Sequence, residues 1–290
     1  ATETTPAELL VLSTEEGVVG RSTLTAGDVP FPRPITITAG LEPVAMKLVM
    51  RDGQPTAAVL SNEKREYSLD LIDLSDGEKE TISIGSLSRQ PDHIESLDID
   101  QDGQLDLLLM TRDRPMIVLL ADEDGFTKLE KRDMQHYGLV AAANGDNSAT
   151  IDVTGDGVDE LVIADENYLR ALRFDRETGG WIVVTQSNAE DPDSKLTSVT
   201  TVDGQLVASD KTNDRLLFFE IGEDGDWHQS QTLRLRGFQP GPLSAATLAG
   251  EIPAVVSVGE DGFAVVPLRG MRRGLREVGT WRSSLEGHIP

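Results

Sequence analysis

Asp98-Ile99-Asp100-Gln101-Asp102-Gly103-Gln104-Leu105-Asp106 is the stretch whose reading decides the fold. Carboxylates at its first, third and fifth positions can converge on one hard cation. A glycine then supplies a sharp turn, and another carboxylate follows at the ninth position. The pattern returns as Asp152-Val153-Thr154-Gly155-Asp156-Gly157-Val158-Asp159-Glu160. An EF-hand opens in the same way, but it needs a bidentate Glu at position twelve and a helix on either side. The twelfth residues here are Leu109 and Ile163. The flanks, rich in Ile, Leu and Val and bounded by turn residues, read as strands. Each loop therefore joins two strands, and the EF-hand is excluded.

Working outward, short β-like runs separated by turns fill the chain, and no segment sustains a helical period. The glycine of each loop recurs as Gly53, Gly103, Gly157, Gly204 and Gly250, at steps of 46–54 residues. A period near fifty, holding about four strands, is the size of a propeller blade. Inner strands are predicted at 46–50, 94–99, 149–153, 198–202 and 243–248. A later hairpin also repeats: Phe126, Trp181 and Trp227 each follow a glycine-containing turn and read as packing between blades. Residues 8–39 hold three strands (9–12, 17–24 and 35–38) with no inner strand ahead of them. The expected fold is an all-β propeller of four-stranded blades forming one domain over 1–290. Six blades are expected, the tail 283–290 supplying the missing inner strand. Seven is the alternative if the chain is part of a longer one.

Two acid loops between the first and second strands of a fifty-residue β repeat resemble FG-GAP/VCBS-type repeats, the repeats of the integrin α-subunit head and of many bacterial surface proteins. The resemblance implies a β-propeller with calcium in those loops. Position by position, it implies ligation by Asp98, Asp100, Asp102, the carbonyl of Gln104, and Asp106. In the second loop it implies Asp152, Thr154, Asp156, the carbonyl of Val158, and Glu160. All are oxygen donors, which favour calcium over zinc. Thr154 replaces a charge, so the second loop is expected to bind more weakly. In the other three units the leading acids are missing.

Lys plus Arg number 26 against 50 Asp plus Glu, a net charge of −24. Phosphate backbones are repelled by such a field, which argues against nucleic acid as a partner. The chain has no cysteine, hence no disulfide. It contains no apolar run of the roughly 20 residues a membrane helix needs. The polar start Ala1–Pro6 reads as what remains after a leader was cleaved. From Gln231 onward there are seven Arg and no Lys. Within that group Arg269, Arg272, Arg273 and Arg276 are candidates for docking an acidic partner, an anionic glycan or another copy of the chain.

His93, His136, His228 and His288 stand apart, with no nucleophile elbow and no phosphate loop. From this absence the chain is expected not to be an enzyme. The expected function is a calcium-stabilised binding or scaffold module for a protein or glycan, secreted, periplasmic or on the cell surface. The alternatives are a polysaccharide-active lyase or hydrolase, or a non-catalytic subunit of a large surface assembly.

Overall fold

The structure, a computed structural model, describes residues 8–23, 31–38, 40–51, 53–87, 89–112, 114–122, 125–222, 226–248, 251–260, 262–268 and 280–282. It contains six antiparallel sheets and, as regular helix, two single 3₁₀ turns (Lys131–Asp133 and Tyr137–Leu139). The first sheet is β1 (Glu8–Ser13), β2 (Val18–Thr23) and β3 (Arg33–Pro34). The second runs β4 (Glu42–Arg51), β5 (Gln54–Glu63), β6 (Glu66–Asp73) and β7 (Lys79–Ser86). The third is β8 (His93–Leu97), β9 (Asp106–Met110), β10 (Ile117–Asp122) and β11 (Gly125–Leu129). The fourth is β12 (Ser148–Ile151), β13 (Glu160–Asp165), β14 (Tyr168–Asp175) and β15 (Gly180–Asn188). The fifth is β16 (Leu196–Val202), β17 (Gln205–Asp210), β18 (Arg215–Ile221) and β19 (Trp227–Arg234). The sixth is β20 (Leu243–Leu248), β21 (Ile252–Gly259), β22 (Gly262–Pro267) and β23 (Thr280–Arg282). In each sheet the strands follow one another as a meander, each pairing with the next. This is a six-bladed β-propeller, as the fifty-residue period predicts.

The first sheet has three strands among the described residues, and the tail 283–290 expected to complete it lies outside them. Its third strand is also shorter than expected and lies ahead of the predicted 35–38. Only Arg33–Pro34 pair, although the Ile35 amide still donates to the Val19 carbonyl at 2.7 Å.

Residues divide into two compact units, 1–96 with 105–130, and 97–104 with 131–290. In the first, Ala58, Leu60, Leu69 and Leu71 of the second sheet form one core with Ile94, Leu107, Leu109 and Leu119 of the third. In the second unit, Val162, Leu169 and Ala171 of the fourth sheet pack with Leu206, Ala208, Leu217, Phe219 and Trp227 of the fifth. All five residues of β9 are buried, so this middle strand is covered on both faces, and Leu107-Leu108-Leu109-Met110 accordingly reads as an unbroken apolar run. Trp181 is 1% exposed, with its ring edge-on to Phe174 at 5.6 Å between centroids. The recurring aromatic is a packing residue at both tryptophan positions.

The turn glycines confirm the repeat at the level of the backbone. Gly53, Gly103, Gly157 and Gly204 all have positive φ, from +72° to +88°. A side chain is strained in that region even where it meets open space, as it would at Gly103. Gly103→Ala is expected to cost about 1 kcal/mol, read from the midpoint of urea unfolding at unchanged slope.

Candidate metal centre

Both acid loops are built by their own carboxylates. In the first, Asp98 accepts from the amides of Asp102 (3.0 Å) and Gly103 (2.9 Å), and Asp102 accepts from the Gln104 amide (2.8 Å). In the second, Asp152 accepts from Gly155 (2.6 Å) and Gly157 (2.8 Å), and Asp156 from Val158 (3.0 Å). Short acidic side chains that satisfy amides a few residues on hold a turn that no ladder supports. The first and fifth positions thus do the same structural work in the two loops.

The third and ninth positions differ. Asp98, Asp100 and Asp106 each place a carboxylate oxygen within 4.8 Å of the others. The Asp100 side chain is 0% exposed; its Oδ2 is bonded by Arg176, while Oδ1 has no hydrogen-bond partner. A buried, unpartnered carboxylate oxygen beside two further carboxylates costs several kcal/mol unless a cation lies among them. Burial, and then the charge of Asp102, push the Asp100 carboxyl above its ordinary range against the pull of Arg176. Hard oxygen donors of this kind fit calcium, and Asp98, Asp100 and Asp106 are the side chains that would hold it.

The second loop gives its ninth-position carboxylate other partners. Its third position is Thr154, and its ninth, Glu160, has an arm long enough to turn back on the loop. Glu160 Oε2 accepts from the Val153 amide at 2.8 Å, and Oε1 is bonded by Arg173. Arg173 also lies 3.2 Å from Asp156, whose carboxyl is held below its ordinary range chiefly by the Val158 amide. Among the described residues, Asp98, Asp100 and Asp106 are the one group of metal-ligating side chains placed together. Asp102 points instead to Arg176, 3.0 Å away, and to the Gln104 side chain at 3.2 Å.

The arginines were invisible to loop spacing. Arg173 lies on β14 and Arg176 in the turn after it, 72 and 76 residues from the first-loop residues Gln101 and Asp100 that they bond. A second polar group, in the first unit, is equally scattered in sequence. The buried Glu95 lies 2.8 Å from the Lys47 ammonium and 3.4 Å from His93 Nε2. Burial pushes its carboxyl up, but His93, Lys47 and the Ser96 amide together bring it down to about 2. The candidate docking residues Arg269, Arg272, Arg273 and Arg276 lie outside the described residues. No helix among the described residues is long and apolar enough to cross a membrane.

No family model and no curated protein matches this sequence. Solved structures do. A candidate 6-phosphogluconolactonase from Bacteroides uniformis superposes with a TM-score of 0.61 at 14% identity, covering 95% of this chain and 82% of that one. The periplasmic gluconolactonase PpgL of Pseudomonas aeruginosa gives 0.61 at 16% identity, over 98% and 84%. A chain of the Chaetomium thermophilum Polycomb Repressive Complex 2 gives 0.55 at 9%, over 92% and 65%. At such identities the likeness shows the fold alone, that of a β-propeller. It also corrects the expectation that the chain is not an enzyme. That expectation rested on missing linear motifs, whereas solved propellers similar to this one are named as lactonases. In a repeat fold a site can be assembled from loops of different blades, so its members need share no stretch of sequence.

Proposed function

We propose that this chain is an extracytoplasmic β-propeller in which a calcium ion in the Asp98–Asp106 loop serves as a structural element, and that the propeller presents a binding surface to a protein or glycan. The observation behind the metal reading is the buried, unpartnered Asp100 Oδ1 within 4.8 Å of carboxylate oxygens of Asp98 and Asp106. A divalent ion there removes the repulsion of three acids and fixes the hairpin between β8 and β9. Calcium modules outside the cell bind at roughly 10⁻⁴–10⁻³ M, which accords with a site outside the cytoplasm.

Calcium at 10 mM, about a hundred times a dissociation constant near 10⁻⁴ M, is expected to stabilise the fold by about 2.7 kcal/mol. The melting temperature then rises by roughly 5 °C or more over the value in chelator. An unchanged melt, with no heat of calcium binding in titration calorimetry, refutes the metal reading.

A second reading, hydrolysis of a sugar lactone, is supported by the likeness to the Bacteroides and Pseudomonas proteins. Acid release from gluconolactone, followed at constant pH with and without calcium, separates it from the binding reading. A turnover above the spontaneous rate favours the hydrolase.

A further inference from the structure

The first acid loop already has a resident cation, and it comes from another blade. Arg176 lies in the turn between β14 and β15, which Asp175 fixes by accepting from the Glu177 amide at 3.0 Å and from Thr178 Oγ1 at 2.8 Å. From that turn Arg176 bonds Asp100 Oδ2 through Nε and comes within 3.0 Å of Asp102 Oδ2 through Nη2. The backbones are joined beside it, where the Phe174 amide donates to the Ile99 carbonyl at 3.0 Å. Arg173 extends the same contact: its Nη1 donates to Gln101 Oε1 at 2.7 Å, while its Nη2 pairs with Asp156 and Glu160 of the second loop. Gln101 itself holds a left-handed φ of +62°, a strained conformation that these contacts keep in place.

A divalent ion among Asp98, Asp100 and Asp106 would share Asp100 with a guanidinium bonded to its other oxygen. The two positive charges repel one another across one carboxylate, and Asp102 is drawn toward the arginine and away from the ion. We propose that Arg176 sets the divalent-cation affinity of the first loop: it is the loop's counter-ion when metal is absent and the metal's competitor when it binds. The inference rests on the metal reading above and adds the residue that tunes it. Arg173 contributes to the same contact through Gln101, but its own charge is directed to Asp156 and Glu160, so it governs the second loop.

The test is calcium titration by calorimetry, with melts in chelator and in calcium, on the wild-type chain and on Arg176→Gln, Arg176→Lys, Arg173→Gln and Asp100→Asn. Arg176→Gln is expected to bind calcium roughly ten-fold more tightly. It should also melt below wild type in chelator, so that calcium raises its melting temperature by more. Arg176→Lys, which keeps the charge and loses the fork, falls between the two. Arg173→Gln leaves the affinity within about two-fold of wild type. An Arg176→Gln affinity equal to or weaker than wild type, with binding still abolished in Asp100→Asn, overturns the role of Arg176 and leaves the metal site standing. Absence of calcium binding in every chain, wild type included, overturns both.

Discussion

Replacing Glu160 with alanine is expected to destabilise the protein by about 3–5 kcal/mol, and by the same amount in calcium as in chelator. The carboxylate is 1% exposed, accepts the buried Val153 amide at 2.8 Å and pairs with Arg173. Its removal leaves a buried donor without an acceptor and a guanidinium, only 21% exposed, with its strongest partner gone. Glu160→Gln keeps an acceptor for Val153 and loses the charge, so it should retain a substantial part of the stability. The outcome also separates two roles. A calcium ligand would cost little when truncated in chelator, because no ion is there to lose. A clamp on its own loop costs the same in either condition, and equal losses in urea unfolding with and without calcium establish the clamp.

The second large effect is expected in the acid limb of the stability curve. The Glu95 carboxyl, brought from 4.5 to about 2 in the folded chain, contributes about 3 kcal/mol. Its folded value lies below its unfolded one, so this stability is fully present above about pH 4.5 and is lost as pH falls toward 2. Glu95→Gln should therefore be less stable than wild type by about that amount at pH 7, with the gap closing by pH 2. A gap that stays constant from pH 7 to pH 2 would show that the charge of Glu95 is not what holds Lys47 and His93. The alanine variant is a poorer probe, since it also leaves those two groups without an acceptor.

Much of the architecture was legible because a repeat states its rule several times. Turn glycines near every fiftieth residue need a left-handed backbone wherever they are described, and the apolar runs between them have the length of strands. In the strand that leaves each loop, alternation gives way to a continuous apolar run: every residue of β9 is buried, and so are residues 160–164 of β13, as sheets covered on both faces require. The limits were equally physical. The sequence pattern gives the two acid loops the same ligand positions and separates them only by the missing charge at Thr154. Their difference lies in one methylene and one hydroxyl. Glu160 is long enough to reach the Val153 amide and Arg173, and Thr154 removes the central charge, whereas Asp100 and Asp106 remain beside Asp98.

Missing linear motifs were a poor ground for excluding an enzyme, for a related reason. A motif search tests neighbours along the chain, and a propeller can assemble a site from residues of separate blades. Lys47 and Glu95, or Asp100 and Arg176, are contacts of this kind.

The residues in order determine the sheets, their number of strands, the glycine turns and the two acidic bends, since each depends on interactions within a dozen neighbours and on a period that repeats them. Tertiary structure alone decides which arginine meets which bend. That depends on where Arg173 and Arg176 come to lie, and the strength of a charge pair follows distance in space, not separation along the chain.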